Sequence, residues 1–550
     1  MKLDRWKIGL ILLLLLLTGA ALRLIHIGTP SIWVDENITV SAAKGVIKTG
    51  RPVMPAGYVY GRGLLYTYSV AAAYRFFGIS LENARRVSAL FGLISILISY
   101  FLASGLFDRK TGLLTAFFMT VSYYEIGWSR VARMYTMLQM MNLLSILCFF
   151  IYFRSAEKAA SLKPGHDQKE ASLPAWNLNL LWLFAGFFLS VVTTMWVHNI
   201  AILTMLGFGL ILIILVVMQT VTHGFSGRPE PYRVILLGML LSGLAAILAD
   251  PDLSGLVLNF YSYMPAWAGY GSSASQRWVL FPFLFSWTRF PLGILFLLGG
   301  VEMIRRREKH GWMLLLLTLL PLLVFTFIFT HRHPKYFFPV YPLVFICAAY
   351  GLLRFYELFS RFLFQKIRMR RKTARILTGS LIGLCFIISP WLRITKNIPF
   401  LEDGITNGAV YFNEWREAAL LLQREAKPGD LIISSLPEAL AFYGIEADWA
   451  LNDSNLDLSS FRDARNQAGQ LIEIYAGKPL IGSASQFTDL INTHVRGWIV
   501  ITDYHFNQSI YTPEAIRNII KNRLNPPRFT RNRTIRIYHW NHLQESAHAF

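Results

Sequence analysis

Long apolar runs alternate with short polar segments over the first 400 of the 550 residues. A helix needs roughly 20 apolar residues to cross a bilayer, and runs of this order recur along the chain. The first covers 8–27, and the others cover 86–106, 111–126, 135–153, 178–197, 199–218, 234–250, 287–304, 312–330, 337–353 and 375–392. The pattern therefore predicts a polytopic α-helical membrane protein with about eleven spans.

The first run admits a second interpretation, because a signal peptide also begins with cations followed by an apolar stretch. Here Lys2, Arg5 and Lys7 precede the run. The run is longer than a typical signal core, and Arg23 and His26 stand where a cleavage site needs small residues. We interpret it as an uncleaved span with a cytoplasmic amino terminus.

The short segment 64–78 decides the topology of everything that follows it. If it lies flat at the interface, the basic clusters at 109–110, 154–169, 305–307 and 366–372 all lie inside. If it spans, they all lie outside, against the preference of Lys and Arg for the cytoplasmic side. We therefore expect the flat arrangement, in the cytoplasmic (inner) membrane, with the carboxy-terminal region on the outer face.

Composition supports a membrane protein and excludes several other classes. Hydrophobic residues make up 54% of the chain and charged residues 15%, whereas soluble domains carry about 25% charge. The net charge of +21 does not indicate nucleic-acid binding, because residues 401–550 hold 14 Lys and Arg against 17 Asp and Glu. The basic excess thus lies among the apolar runs, where membrane orientation accounts for it. All three cysteines lie in apolar runs, so no disulfide is predicted.

From about residue 399 the composition becomes that of a soluble domain. The pattern predicts helices over 413–426, 437–443, 485–493 and 513–522, and strands over 431–434, 497–502 and 534–540. This alternation is typical of a small α/β domain. We therefore predict two domains, 1–398 with outer loops 28–85 and 251–285, and 399–550.

Two adjacent carboxylates, Asp35 and Glu36, follow the first span. Carboxylates this close to lipid are costly unless they are solvated or take part in function. Asp35 is also suited to cap a helix over 37–44. A solvated loop end, a helix cap and a catalytic carboxylate all remain open at this point.

Cations gather at two other predicted outer ends of spans. Arg130 and Arg133 are three residues apart, on one helical face, where positive charge is unexpected. Pairing with Glu125 or snorkelling would account for them equally. Further on, His331, His333 and Lys335 suit an anion better than a zinc ion.

The outer loop 251–285 is rich in Tyr and Trp and carries Arg277 beside a Gly/Ser stretch. Aromatic faces stack on sugar rings, and such a loop would be able to close over a ligand. The aromatic belt of a membrane interface explains the same residues.

Four motifs in order resemble those of a known family. They are Trp33-x-Asp35-Glu36, Gly61-Arg62-Gly63-Leu64-Leu65-Tyr66, Glu125-x-x-x-Ser129-Arg130-x-x-Arg133-Met134-Tyr135, and His333-Pro334-Lys335-Tyr336-Phe337-x-Pro339. The set resembles the GT-C glycosyltransferases, in the bacterial branch of protein mannosyltransferases and lipid A aminoarabinose transferases. In this chain Lys335 stands where arginine is usual, and two prolines of the second motif are missing.

The resemblance implies transfer of a sugar from a polyprenyl-phosphate donor to a glycolipid, polysaccharide or protein on the outer face. It implies an inverting single displacement in which Asp35 is the general base and Glu36 orients Asp35 or the acceptor. Donor phosphate would be bound by Arg62, Arg130, Arg133, His331, His333 and Lys335. Glu125, Tyr135, Tyr336 and Arg277 are further site candidates. No cofactor is certain, and a divalent metal ion at Asp35 and Glu36 stays open.

A membrane transporter or lipid-linked saccharide flippase is the alternative from another class. Transporters tend to carry ionisable groups near the bilayer midplane and often show internal repeats. The predicted spans are nearly free of charge, and we find no repeat. A sensor would require a cytoplasmic output domain, for which the sequence gives no sign.

Overall fold

Helices dominate the part of the chain that the structure, a computed structural model, describes. The described residues are 4–161, 178–223, 284, 292–308, 310–327, 334–388, 412–451, 465–466, 468–509 and 511–542. Among them, five helices are long and apolar enough to cross a membrane, namely Arg5–Leu24, Leu81–Leu106, Tyr135–Ser155, Asn199–Met218 and Phe338–Gln365. The protein is therefore a multi-pass membrane protein, as predicted. The count of eleven spans stays a prediction, and the run 234–250 lies outside the described residues.

The helices that match predicted spans begin within five residues of the predicted starts, but those that end at Ser161 and Gln365 run past the predicted ends at 153 and 353. The helices described in the first 388 residues are α1 Arg5–Leu24, α2 Val34–Thr49, α3 Leu64–Phe77, α4 Leu81–Leu106, α5 Arg109–Val121, α6 Tyr123–Ser129, α7 Tyr135–Ser161, α8 Leu178–Val197, α9 Ile202–His223, α10 Leu292–Arg305, α11 Gly311–Phe327, α12 Tyr341–Gln365 and α13 Arg371–Ile388. Short 3₁₀ turns cover Asn199–Ala201, Pro334–Tyr336 and Phe338–Val340. At 14 residues, α3 is shorter than a span requires.

The chain divides into two compact units. The first, the helical unit, comprises Met1–Arg23, Ala89–Ser129 and Met134–Asn397. The second, the mixed unit, comprises Leu24–Ser88, Arg130–Arg133 and Ile398–Phe550. The predicted domain boundary at 398/399 stays a prediction, but the mixed unit contains the first loop region as well as the carboxy-terminal residues.

Within the helical unit, α10 and α12 approach closely through glycines. A Cβ atom at Gly299 would overlap the Cys347 carbonyl, and one at Gly351 would overlap the Leu295 carbonyl. Small residues allow the backbones of neighbouring membrane helices to touch in this way. The two helices therefore depend on glycine at both positions.

A five-stranded sheet organises the carboxy-terminal part of the mixed unit. Its strands are β1 Leu431–Ser434, β2 Trp449–Ala450, β3 Arg496–Thr502, β4 Arg528–Phe529 and β5 Ile535–Asn541, in the order β2-β1-β3-β5-β4. Strand β1 is parallel to β2 and β3, whereas β5 runs antiparallel to β3 and β4. The helices are α14 Trp415–Glu425, α15 Pro437–Phe442, α16 Ala484–Thr493, α17 Asp503–Asn507 and α18 Glu514–Arg523.

The predicted strands and helices of this region are confirmed to within one or two residues. Strand β3 is buried at almost every position, and its Ile499 and Ile501 pack with Phe487 and Trp540 in one apolar core. A strand that is buried on both faces has a continuous run of apolar residues in its sequence. This explains why the sequence pattern predicted β3. The two-residue strands β2 and β4 carry no such pattern, and the sequence analysis did not predict them.

Candidate active site around Asp35

Helix α2 begins at Val34, so both carboxylates of the first motif lie in its first turn. Trp33, with φ −85° and ψ 148°, is the N-cap residue. The suggestion that Asp35 caps a helix over 37–44 is therefore wrong, because the helix starts before Asp35. The Glu36 Oε2 atom accepts the Trp33 N–H at 2.9 Å, which is the backward half of a capping box. Negative charge in a first helical turn is also favoured by the helix dipole.

Glu36 is fully buried, and four donors bind its two oxygens. Arg85 donates through Nε to Oε1 and through Nη2 to Oε2, both at 2.7 Å. The Ala132 N–H donates to Oε1 at 2.7 Å, and the Trp33 N–H supplies the fourth bond. All four donors are protein groups, and one of them belongs to Ala132. The carboxylate therefore links the start of α2 to the segment Arg130–Arg133.

Arg85, near the start of α4, binds Glu36 but is not among the residues predicted from the sequence. It is fully buried, and its remaining N–H groups donate to the carbonyls of Ile27, Pro30 and Ser31 at 2.9 Å each. Its guanidinium also lies 5.5 Å from the ring centre of Phe412. The sequence did contain a sign of its role. Arg85 directly precedes the predicted span 86–106 at its outer end, where arginine is as unexpected as at position 130.

Asp35 is more exposed than its neighbour. Its Oδ2 atom lies 3.7 Å from Arg133 Nη2, and its side chain is 26% exposed against 8% for Arg133. Arg133 Nη1 also donates to the Thr39 hydroxyl at 3.1 Å and to the Tyr60 hydroxyl at 3.2 Å. The structure thus brings Asp35 and Arg133 together, with part of the carboxylate facing outward.

Arg130 and Arg62 occupy different positions in the same unit. Arg130 donates through Nη1 to the Ile25 carbonyl at 2.8 Å and through Nη2 to the His26 carbonyl at 3.0 Å. Burial, followed by the charge of Arg85, lowers the pKa of Arg130 to about 10. Arg62 is exposed, and its charge acts on the hydroxyl of Tyr58. Arg130 is thus engaged by backbone carbonyls, whereas Arg62 faces outward.

The other described candidates lie in the helical unit. Glu125 is buried and accepts a hydrogen bond from Gln139 Nε2 at 3.0 Å. The ring of Tyr135 lies 6.1 Å from that of His198, which lies 6.5 Å from that of Tyr336. The Lys335 Nζ atom is 5.4 Å from the centre of the Tyr336 ring. His331, His333 and Arg277 lie outside the described residues.

A small apolar recess adjoins Tyr336 within the helical unit. It is lined by residues that include Thr204, Pro321, Phe325, Tyr336, Pro339 and Val340. Tyr336 therefore has an apolar recess on one side and the ammonium group of Lys335 over its ring.

The two carboxylates do not fit a divalent metal ion as a pair. Both Glu36 oxygens are taken up by Arg85 and by two backbone N–H groups, so only Asp35 could ligate. Among the residues that the structure describes, no group of three or more His, Cys, Asp or Glu side chains is placed to hold a metal. We therefore assign no step to a metal at this site.

Comparison with known proteins places the fold. No protein-family model matches the sequence, and no curated protein matches it. ArnT from Cupriavidus metallidurans bound to undecaprenyl phosphate is similar in structure, with a TM-score of 0.58 and 12% identity over 97% of both chains. The Archaeoglobus fulgidus oligosaccharyltransferase in the apo form also has a TM-score of 0.58, with 13% identity over 97% of this chain and 74% of that one.

A third structure, the oligosaccharyltransferase AglB from Archaeoglobus fulgidus with an inhibitory peptide and a dolichol-phosphate, has a TM-score of 0.54 at 13% identity. It covers 96% of this chain and 74% of the other. ArnT and AglB are both GT-C glycosyltransferases. The chain therefore has the membrane GT-C fold, which confirms the fold predicted from the four motifs.

Proposed function

We propose that this protein transfers a sugar from a polyprenyl-phosphate donor to an acceptor hydroxyl on the outer face of the cytoplasmic membrane. The GT-C fold and neighbours that bind undecaprenyl phosphate or dolichol-phosphate support this substrate class. The single observation that carries the proposal is the contrast within the first turn of α2. Glu36 is saturated by protein donors, whereas Asp35 stays partly exposed beside a cation.

Asp35 is the general base of the proposed reaction. A hydroxyl attacks poorly while it keeps its proton, and a positioned base contributes about 10²–10⁴-fold. The acceptor oxygen forms a bond to the anomeric carbon as the bond from that carbon to the phosphate oxygen breaks. The hydroxyl proton passes to Asp35, and the electron pair of the broken bond leaves with the polyprenyl phosphate.

One displacement inverts the anomeric centre. A double displacement needs a second carboxylate free to act as nucleophile, and the adjacent Glu36 is bound on both oxygens. Its proposed part is therefore to fix the backbone that carries Asp35 rather than to contact the sugar. This supports the single inverting step.

Cations stabilise the leaving phosphate in this proposal. Arg133 is the first candidate because it lies beside Asp35, and the exposed Arg62 is the second. Lys335 stays proposed on sequence grounds, from the motif His333-Pro334-Lys335. His331 and His333 stay proposed on sequence grounds. Arg130 is the weakest candidate of the mixed unit, since both of its Nη atoms bind carbonyls.

The orientation in the membrane is part of the proposal. The basic clusters at 109–110, 154–169, 305–307 and 366–372 favour a cytoplasmic amino terminus and a carboxy-terminal α/β region outside. The acceptor would then be a glycolipid, a polysaccharide or a protein of the cell envelope.

The test is Asp35→Asn, which is nearly isosteric and keeps a hydrogen-bond acceptor. We expect release of polyprenyl phosphate from lipid-linked donors, followed by mass spectrometry, to fall about 10²–10⁴-fold. Binding of undecaprenyl phosphate should persist, because the substitution removes a negative charge that would repel the phosphate. Asp108→Asn is the matched control, since Asp108 caps α5 through its side chain and Asn caps equally well. Wild-type release by Asp35→Asn would remove the base from the mechanism.

A further inference from the structure

A tight turn from the carboxy-terminal part of the mixed unit packs against the first loop region. The Glu473 N–H donates to the Lys478 carbonyl, and the Gly477 N–H to the Glu473 carbonyl, both at 2.8 Å. The buried Glu473 carboxylate accepts the N–H groups of Tyr475 at 2.9 Å and Ala476 at 2.6 Å. Gly477, with φ +71°, comes so close to Ala56 that a Cβ atom would lie 3.2 Å from its Cα. The turn is thus fixed internally and seated on residues near Ala56.

The side chain of Tyr475 lies on the face of α2 that carries Asp35. Tyr475 and Tyr58 pack against a cluster formed by Ile38, Ala42, Met54 and Tyr60. Ile38 and Ala42 follow Asp35 by three and seven residues, a spacing that places all three on one helical face. Tyr60 belongs to the same cluster and accepts a hydrogen bond from Arg133, the partner of Asp35.

The pKa values of Tyr475 and Tyr58 agree with their placement beside Asp35 and Glu473. Burial, followed by the charges of Tyr58 and Asp35, raises the pKa of Tyr475 above its usual range. Burial, followed by Tyr60 and Glu473, does the same to the pKa of Tyr58. Both phenols therefore keep their protons at neutral pH.

Tyrosine combines an apolar ring face with a polar tip, and a sugar ring combines an apolar C–H face with a rim of hydroxyls. Tyr58 and Tyr475 are half-buried rather than enclosed, and Asp35 beside them is partly exposed. We propose that Tyr58 and Tyr475, which pack on the buried Tyr60, form with Asp35 a subsite for a sugar ring of the acceptor. This inference rests on the proposed function, because it supplies the hydroxyl that Asp35 would deprotonate.

The subsite gives the carboxy-terminal α/β region a role in selecting the acceptor. Tyr475 is a binding residue, and Glu473 is a positioning residue that acts through the backbone of the turn. A peptide acceptor would place a serine or threonine hydroxyl at Asp35 without needing two adjacent aromatic rings. The chemistry of the cluster therefore favours a carbohydrate acceptor over a protein acceptor.

The experiment uses the full-length protein in lipid nanodiscs and three probes. They are a panel of methyl glycosides of common hexoses and aminohexoses, a panel of serine- and threonine-containing peptides, and undecaprenyl phosphate. Saturation-transfer NMR reports glycoside and peptide binding, and a lipid-binding assay reports undecaprenyl phosphate. The variants are Tyr475→Ala and Tyr475→Phe, with Tyr504→Ala as the control, since Tyr504 is 60% exposed in the same unit.

We expect at least one glycoside to bind the wild type. Tyr475→Ala should weaken the binding of that glycoside roughly tenfold. Tyr475→Phe, which keeps the ring, should lose less, and Tyr504→Ala should match the wild type. Undecaprenyl phosphate should bind all four proteins, which also shows that each is folded. Binding of peptides in place of glycosides, or glycoside binding indifferent to Tyr475, would overturn the subsite while leaving the proposed function standing. Glycoside binding without undecaprenyl phosphate binding would instead overturn the proposed function.

Discussion

Asp35 and Glu36 are neighbours in one helical turn, yet their surroundings are opposite. Glu36 is fully buried and accepts four hydrogen bonds, two of them from a buried arginine. Asp35 is 26% exposed and has its cation at 3.7 Å, beyond a close hydrogen bond. The two carboxylates of this turn therefore differ in the part that we propose for each, Glu36 holding the backbone and Asp35 reacting with the acceptor.

The difference follows from the cost of burying charge. A buried ion pair is tolerated only when its geometry is good and every remaining polar atom has a partner. Arg85 meets this condition by donating to Glu36 and to three carbonyls of the segment that leads into α2. A carboxylate bound so completely has little capacity left for a substrate, whereas the proposed mechanism requires the partly exposed Asp35 to contact the acceptor.

The largest expected effect comes from Glu36→Gln, which keeps the shape and removes the charge. It leaves Arg85 buried without its counter-ion, and breaking a buried pair from one side costs about 3–5 kcal/mol. We expect a large loss of thermal stability in detergent, together with loss of activity. Glu82→Gln is the matched control. It breaks the exposed Arg86–Glu82 pair on α4, the helix that also carries Arg85, and should cost at most about 1 kcal/mol.

Asp35→Asn should show the reverse pattern, with stability kept and turnover lost. If Glu36→Gln were as stable as Glu82→Gln while losing activity, the division between the two carboxylates would be wrong. Glu36 would then have to contact the substrate.

The sequence was a good guide where a periodic apolar pattern determines structure. The described spans and the buried strand β3 are such elements, and each begins within five residues of its predicted start. The four motifs pointed to the GT-C fold and to the carboxylates of α2. They did not separate the two carboxylates, because burial depends on partners that are distant in the chain.

Arg85 is 49 residues away from Glu36 in sequence, and Tyr475 is much farther from Asp35. No local pattern reports such contacts. The buried pair and the tyrosine cluster therefore had to be seen in the structure. The same holds for Arg130, whose two carbonyl partners cannot be deduced from the spacing to Arg133.

A second test concerns the cation beside Asp35. Arg133→Gln removes the charge that faces Asp35 and, in the proposed mechanism, the leaving phosphate. Loss of one such contact costs on the order of 2–4 kcal/mol of barrier, or roughly 30- to 1,000-fold in rate. Release of polyprenyl phosphate over a donor titration measures it, with the exposed Arg51→Gln of the same loop region as the control. Turnover equal to that of the control would remove Arg133 from the site.

The smallest expected effect extends the comparison to a third carboxylate, Glu438 of α15. Like Glu36 it is buried, but neither of its oxygens has a hydrogen-bond partner in the structure. Burial, followed by the negative charge of Glu473, raises the pKa of Glu438 well above its usual range. Glu438 therefore contrasts with Glu36, whose two oxygens accept four hydrogen bonds.

The sign of the pH effect follows from proton linkage. Between the ordinary pKa of 4.5 and the raised value, the folded state binds a proton that the unfolded chain has lost. Stability therefore falls as pH rises through this window. Glu438→Gln cannot ionise, so its melting temperature should exceed that of the wild type by roughly 2–4 °C at pH 7.5, with the gap closing towards pH 4.5. Glu446→Gln, whose side chain is 71% exposed, should show no such gap at either pH. A gap of the opposite sign would mean that Glu438 is ionised and paired in the folded protein, as Glu36 is.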